Sequence, residues 1–85
     1  MLTSEQIDLL RHEPLDGANK VRRARELAGL TQIQVAREVP ISQPYLSAIE
    51  TGKSTDLTLE TSRSLAMFFG VQIEDLFPAR QEVAS

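Results

Sequence analysis

The run from Leu30 to Lys53, LTQIQVAREVPISQPYLSAIETGK, constrains this chain more than any other stretch. It carries two sets of helix punctuation with a short break between them. Thr31 is a good N-cap, and Gln34 three residues on completes a T-x-x-Q capping box. Ile33, Val35 and Ala36 supply apolar positions for a first helix. Pro40 ends it, because it has no N–H to donate and pushes Val39 away from helical dihedrals. Ser42 caps a second helix with Pro44 in its first turn, where a missing N–H costs little. Leu46 and Ile49 lie three apart and share a face, and Gly52 suits a left-handed stop before Lys53. The chain here must form two helices of about eight to ten residues around a turn of about three to four.

The flanks read as helix too. Residues 3 to 11 form a short leader helix, capped by Thr3 with Gln6 or by Ser4 alone, with Ile7, Leu9 and Leu10 as an apolar stripe. It packs on its own domain, or it is a dimer contact, a docking segment for another protein, or disordered. His12 reads as a solvated loop residue. Glu13-Pro14-Leu15-Asp16-Gly17 is a linker by composition. Asp16 is the expected cap of a helix over 17–28, with Val21, Ala24, Leu27 and Ala28 inward and Lys20, Arg22 and Arg23 in exposed turns. Those three are a solvated face, or one of them touches phosphate. Thr58 caps a helix that runs to about Phe69 and stops at Gly70. A short last helix lies within Val71 to Phe77, with Gln72 at its N-cap and Pro78 closing the domain. Residues 79–85 have no apolar periodicity and read as a mobile tail.

No alternating strand pattern competes, so the expected class is all-α: five short helices over 17–78, preceded by the leader helix and linker over 1–16. The expected core is Val21, Leu30, Val35, Ala36, Ile41, Leu46, Ile49, Leu59, Leu65, Ala66, Val71 and Leu76. Phe68, Phe69, Met67 and Phe77 are apolar beyond what one small core needs, and they predict a dimer surface on the C-terminal helices.

The central run resembles the helix-turn-helix of the phage repressor and Cro family, also called the Xre family. The matching residues are Arg25, Gly29-Leu30-Thr31-Gln32, Ala36, Ile41-Ser42-Gln43, Leu46-Ser47, Ile49-Glu50 and Gly52-Lys53. The likeness continues through Leu65-Ala66 and Gly70-Val71 to Leu76-Phe77 and covers roughly residues 17 to 78. It implies a compact five-helix, lambda-repressor-like fold whose second motif helix enters the major groove of double-stranded DNA.

The resemblance also assigns roles. It implies base reading by Gln43 near the start of the recognition helix, where a Gln side chain can pair with adenine through two hydrogen bonds. Pro44, Tyr45 and Ser47 are the other exposed early positions. Pro44 offers shape, Tyr45 touches base or phosphate or packs down on its helix, and Ser47 is a base or phosphate partner. In the family the Gln at the position of Gln32 supports both a phosphate and the reading Gln. Thr31 is first a cap beside that phosphate, and Lys53 and Ser54 begin a loop that the family uses to grip phosphate. Arg37, by its own place at the far end of the first motif helix, is a further phosphate contact or a solvated cation. Thr55 and Asp56 stand where the family carries more basic residues, and Asp56 repels phosphate. Arg25 and Glu50 are implied as a partly buried structural ion pair.

Charge and composition limit the alternatives. The net charge is −3, but the acidity sits before residue 17, where Arg11 faces Glu5, Asp8, Glu13 and Asp16. From 17 to 78 seven basic residues balance seven acidic ones, so a local basic face is allowed. There is no Cys and one His, so no metal site or cofactor is implied and no nucleophile–His–acid set exists. The isolated glycines are helix punctuation, and Glu74-Asp75 reads as helix-dipole compensation, so no enzyme is expected. No apolar run reaches membrane-spanning length and no signal-peptide pattern is present, so a cytoplasmic protein is expected. The expectation is a homodimeric, sequence-specific DNA-binding transcriptional regulator, repressor-like and prokaryotic or phage. Two alternatives stand beside it. One is an antitoxin whose acidic leader docks a basic toxin while the domain binds its own promoter. The other is a protein-interaction module of the same fold.

Overall fold

The structure, a computed structural model, describes residues 1–54 and 57–78. Six helices account for its regular structure, with no strand among the described residues. They are α1 (Ser4–His12), α2 (Val21–Ala28), α3 (Gln32–Glu38), α4 (Gln43–Thr51), α5 (Leu59–Phe69) and α6 (Ile73–Leu76). Four of them start on a hydroxyl that accepts a first-turn N–H. Thr3 accepts from Gln6, Thr31 from Gln34, Ser42 from Tyr45 and Thr58 from Thr61. Gln6 and Gln34 return the bond to the Thr3 and Thr31 backbone N–H groups, so α1 and α3 each carry a full capping box. At α6 the reciprocal partner is Asp75, whose carboxylate accepts the Gln72 N–H at 2.8 Å.

The largest departure from expectation is at α2. The helix begins at Val21 rather than near residue 17, and Asp16 does not cap it. Asn19 supplies the local acceptor, taking the Val21 N–H at 3.0 Å while its amide donates to the Ile49 carbonyl at 2.8 Å. Lys20, expected in an exposed turn, is buried. Its Nζ donates to the carbonyls of Leu10 and Glu13, each at 2.6 Å. Carbonyls at the end of α1 have no partner within the helix. The Lys20 ammonium satisfies that of Leu10 and the one just past the helix at Glu13.

The leader helix belongs to the core. Leu2 and Leu10 are buried, the Leu2 N–H donates to the Phe69 carbonyl, and Gln6 Nε2 donates to the Leu27 carbonyl. Leu9 keeps an exposed face beside Glu5 and Asp8. Other apolar assignments change as well. Phe69 and Phe77, expected on a dimer surface, lie in the core, and the ring of Phe69 meets that of Phe68 edge to face. Met67 is exposed and Phe68 half-buried. Leu59, expected inside, is 53% exposed. The buried stripe of α5 is Ser62, Leu65, Ala66 and Phe69, and Leu59 stands one turn outside it. Leu30, Ile41 and Val71 are half-buried against the core rather than within it, and Ile33 is exposed. Leu2, Leu10, Ala24 and Val39 complete the interior.

Helices α3 and α4 are joined by the turn at Val39–Ser42. Val35 and Ala36 of α3 face Leu46 and Ile49 of α4 in the same core. The Ile41 N–H returns to the Ala36 carbonyl at 3.0 Å and fixes the turn. The inward face of α4 is Leu46, Ile49 and Glu50, which leaves Gln43 and Pro44 in solvent.

Candidate nucleic-acid interface

The geometry around α4 is set by a carboxylate from its far end. The Glu50 side chain is 2% exposed and that of Arg25 16%. Arg25 Nε donates to Glu50 Oε2 at 2.8 Å and Nη2 to Oε1 at 3.2 Å, while Nη1 donates to the Leu30 carbonyl at 3.0 Å. The fork thus joins α2, the start of the α2–α3 turn and the last turn of α4. A two-pronged pair of this kind fixes direction as well as distance.

Glu50 Oε1 also accepts from Gln32 Nε2 at 3.0 Å. Gln32 is half-buried in the first turn of α3, and its Oε1 accepts from Gln43 Nε2 at 2.7 Å. A continuous chain Arg25–Glu50–Gln32–Gln43 therefore runs from the buried ion pair to an exposed amide at the first residue of α4. The Gln43 side chain keeps its Oε1 and its second N–H for another molecule.

The remaining site residues scatter around this chain. Pro44 is exposed beside Gln43. Tyr45 is half-buried with its ring packed against the core, so much of its surface faces inward. Ser47 is half-buried, and its carbonyl accepts the Thr51 hydroxyl at 3.0 Å. Thr31 is occupied as the α3 cap. Arg37 is exposed in the last turn of α3, and Lys53 lies exposed past Gly52 with half-buried Ser54 after it. Thr55 and Asp56 lie outside the described residues, as do residues 79–85.

Between the 13–20 segment, α2 and the ends of α3 and α4 lies an open cleft of about 1050 Å³. It is rich in cations, but each is engaged. Lys20 caps α1, Arg22 meets Glu26 at 3.3 Å, Arg23 forks onto Glu13, and Arg25 holds Glu50. The hydrogen bond from Arg23 holds the Glu13 carboxyl below its ordinary range against the opposing effect of desolvation. Arg37, Lys53 and Arg63 are exposed and make no ion pair with another described residue. Sequence reasoning missed Asn19, which ties the segment before α2 to the end of α4. Its signal was an Asn two residues before the first residue of a helix.

Residues 21–76 match the family model described as helix-turn-helix. The chain belongs to the helix-turn-helix family. It is 42% identical over 59 residues to an uncharacterised HTH-type transcriptional regulator of Methanocaldococcus jannaschii, covering 69% of this chain and 88% of that protein. It is 40% identical over 57 residues to the HTH-type transcriptional regulator DdrOP3 of Deinococcus deserti, covering 67% of this chain and 43% of that protein. A segment of the glutamine–fructose-6-phosphate aminotransferase of Methanocaldococcus jannaschii is 34% identical over 68 residues, only 6% of that enzyme. The helix-turn-helix match begins at the first residue of α2 and ends at the last of α6, so α1 lies outside it. No helix among the described residues is long and apolar enough to cross a membrane.

Proposed function

We propose that this protein is a sequence-specific, double-stranded DNA-binding transcriptional regulator of the repressor type, acting in the cytoplasm as a homodimer. The observation that carries the reading is the exposed amide of Gln43, held at the start of α4 by Gln32 and, behind it, by the buried Arg25–Glu50 pair. An amide fixed at the leading end of a helix with a bare first turn is suited to a base edge in the major groove. Two relatives that carry the name HTH-type transcriptional regulator support it.

In this reading Gln43 reads a base, with Pro44 and the outer edge of Tyr45 filling space against it and Ser47 a turn behind. Gln32 and the N-terminal N–H groups of α3 approach one phosphate, beside the Thr31 cap. Arg37, Lys53 and Ser54 approach others. One such helix reads few base pairs, so a two-fold dimer on half-sites about one helical turn apart supplies the specificity. Occupancy of the operator then blocks transcription.

The test is fluorescence anisotropy on the DNA upstream of the protein's own gene, against a scrambled duplex, at two salt concentrations. The expected result is salt-dependent binding that prefers the upstream site and loses about 1–3 kcal/mol in Gln43→Ala. Equal, weak binding to both duplexes, unchanged by the substitution, and no sequence enriched from a random duplex library, would overturn the reading.

A further inference from the structure

The chain of amides behind Gln43 has a polarity, and that polarity has one source. A carboxylate paired with an arginine can only accept hydrogen bonds. Glu50 Oε1 therefore requires the NH2 group of Gln32, as the 3.0 Å contact has it. With its NH2 on Glu50, the other side of the Gln32 amide, its carbonyl oxygen, lies against Gln43, and Gln43 donates to it at 2.7 Å. Gln43 is left with one N–H and its Oε1, one donor and one acceptor side by side. That pair complements adenine, which offers the N7 acceptor and the N6 donor in the major groove. Were Gln32 reversed, Gln43 would spend its oxygen on Gln32 and show two N–H groups. Those match guanine, whose N7 and O6 both accept.

We propose that Glu50, acting through Gln32, is a positioning residue that sets the base preference of Gln43 to adenine over guanine. The proposal rests on the DNA-binding reading above and adds to it which atom of the amide faces out and why. Burial makes the orientation firm: the Glu50 side chain is almost fully enclosed and its two oxygens are held by the Arg25 fork. Gln32 cannot turn its oxygen toward Glu50 without placing two acceptors together beside a carboxylate that is almost fully enclosed.

The experiment selects binding sites for the whole chain from a random duplex library and compares wild type with four variants. Gln43→Ala marks the position that Gln43 reads, as the one whose preference disappears. Gln32→Leu removes the relay and leaves the Arg25–Glu50 pair intact. At the marked position its adenine-to-guanine ratio is expected to fall about tenfold, with thermal melting confirming that the variant is folded. Gln32→Lys puts a donor-only group between Glu50 and Gln43, and the preference is expected to move to guanine. In Gln32→Lys with Gln43→Ala that guanine preference is expected to vanish, which separates amide reversal from direct reading by the lysine. An unchanged adenine-to-guanine ratio in folded Gln32→Leu overturns the proposal and leaves DNA binding standing. A guanine preference that survives loss of Gln43 also overturns it. If the wild type enriches no sequence, the DNA-binding reading fails and this proposal fails with it.

Discussion

Arg11 and Asp75, 64 residues apart in sequence, share a forked ion pair, with Nε on Oδ1 at 2.9 Å and Nη2 on Oδ2 at 3.1 Å. It joins the leader helix to the last helix. Burial raises the Asp75 pKa, but the hydrogen bonds from Arg11 and from the Gln72 N–H outweigh it and hold the carboxyl below its ordinary value. Glu13 is held low in the same way by Arg23. A carboxyl whose folded pKa is depressed contributes stability that is present above its unfolded pKa and lost as pH falls through the folded one. Urea midpoints are therefore expected to be level near neutrality and to drop from about pH 4 downward. Asp75→Asn is expected to flatten part of that acid slope. An acid slope identical in the variant would contradict this role.

The Arg25–Glu50 pair predicts a marked asymmetry between single and double changes. Glu50→Ala strands a guanidinium that is mostly enclosed, and the expected loss is about 3 kcal/mol in chemical denaturation. Arg25→Ala is expected to cost a similar amount. The two together are expected to cost clearly less than their sum, because the second change removes the charge that the first left unpaired. Strict additivity would show that the charges are better hydrated than their burial indicates.

Two glycines separate backbone strain from crowding. Gly29 and Gly52 both end helices at positive φ, 72° and 79°. A Cβ at Gly29 would meet open space, whereas at Gly52 it would lie 2.6 Å from the Cβ of Ala18. Gly29→Ala is expected to cost about 1 kcal/mol, the strain of the left-handed conformation alone. Gly52→Ala is expected to cost at least about 1 kcal/mol more. Adding Ala18→Gly to Gly52→Ala should recover part of the excess. Equal melting temperatures for the two single variants would show that the 13–20 segment yields freely.

Leu10→Ala tests whether the leader is part of the domain. Leu10 has no exposed surface, and its truncation is expected to cost about 2–5 kcal/mol. Leu9→Ala, on the exposed side of the same helix, is expected to stay within about 0.5 kcal/mol. Equal effects at the two positions in thermal denaturation would contradict the packing of α1.

Lys53 is exposed past the end of α4 without an ion pair to another described residue. In the proposed complex it meets phosphate. Lys53→Ala is then expected to weaken binding evenly across sequences and to lower the salt slope by about one. A change in base preference instead would move Lys53 from the backbone to a base edge.

What could be read in advance was what depends on neighbours in sequence. The hydroxyl caps at Thr3, Thr31, Ser42 and Thr58 act over three residues, and a reader of the chain has both partners in view. Lys20 acts on carbonyls seven and ten residues back, which no helical period indicates, so it looked like one more surface cation. Phe68 and Phe69 are adjacent and chemically alike, and their spacing does not tell which one is interior; the structure buries Phe69 and leaves Phe68 half-buried. Within the candidate interface, family likeness brought Arg25 and Glu50 forward as a pair. The link from Glu50 to Gln32 spans 18 residues and two helices and had no local signature. It emerges only when the starts of α3 and the end of α4 are brought side by side.

The N–H of Lys20 donates to the carbonyl of Leu76 at 2.7 Å, and Arg11 reaches Asp75. On the ribosome this arrangement imposes an order. The leader is made before α6, so its ion pair with Asp75 waits until α6 has cleared the exit tunnel. Until then Leu2 and Leu10 have no finished core to enter. A nascent chain halted within α5 should leave α1 open to protease, and release of α6 should close the two helices together.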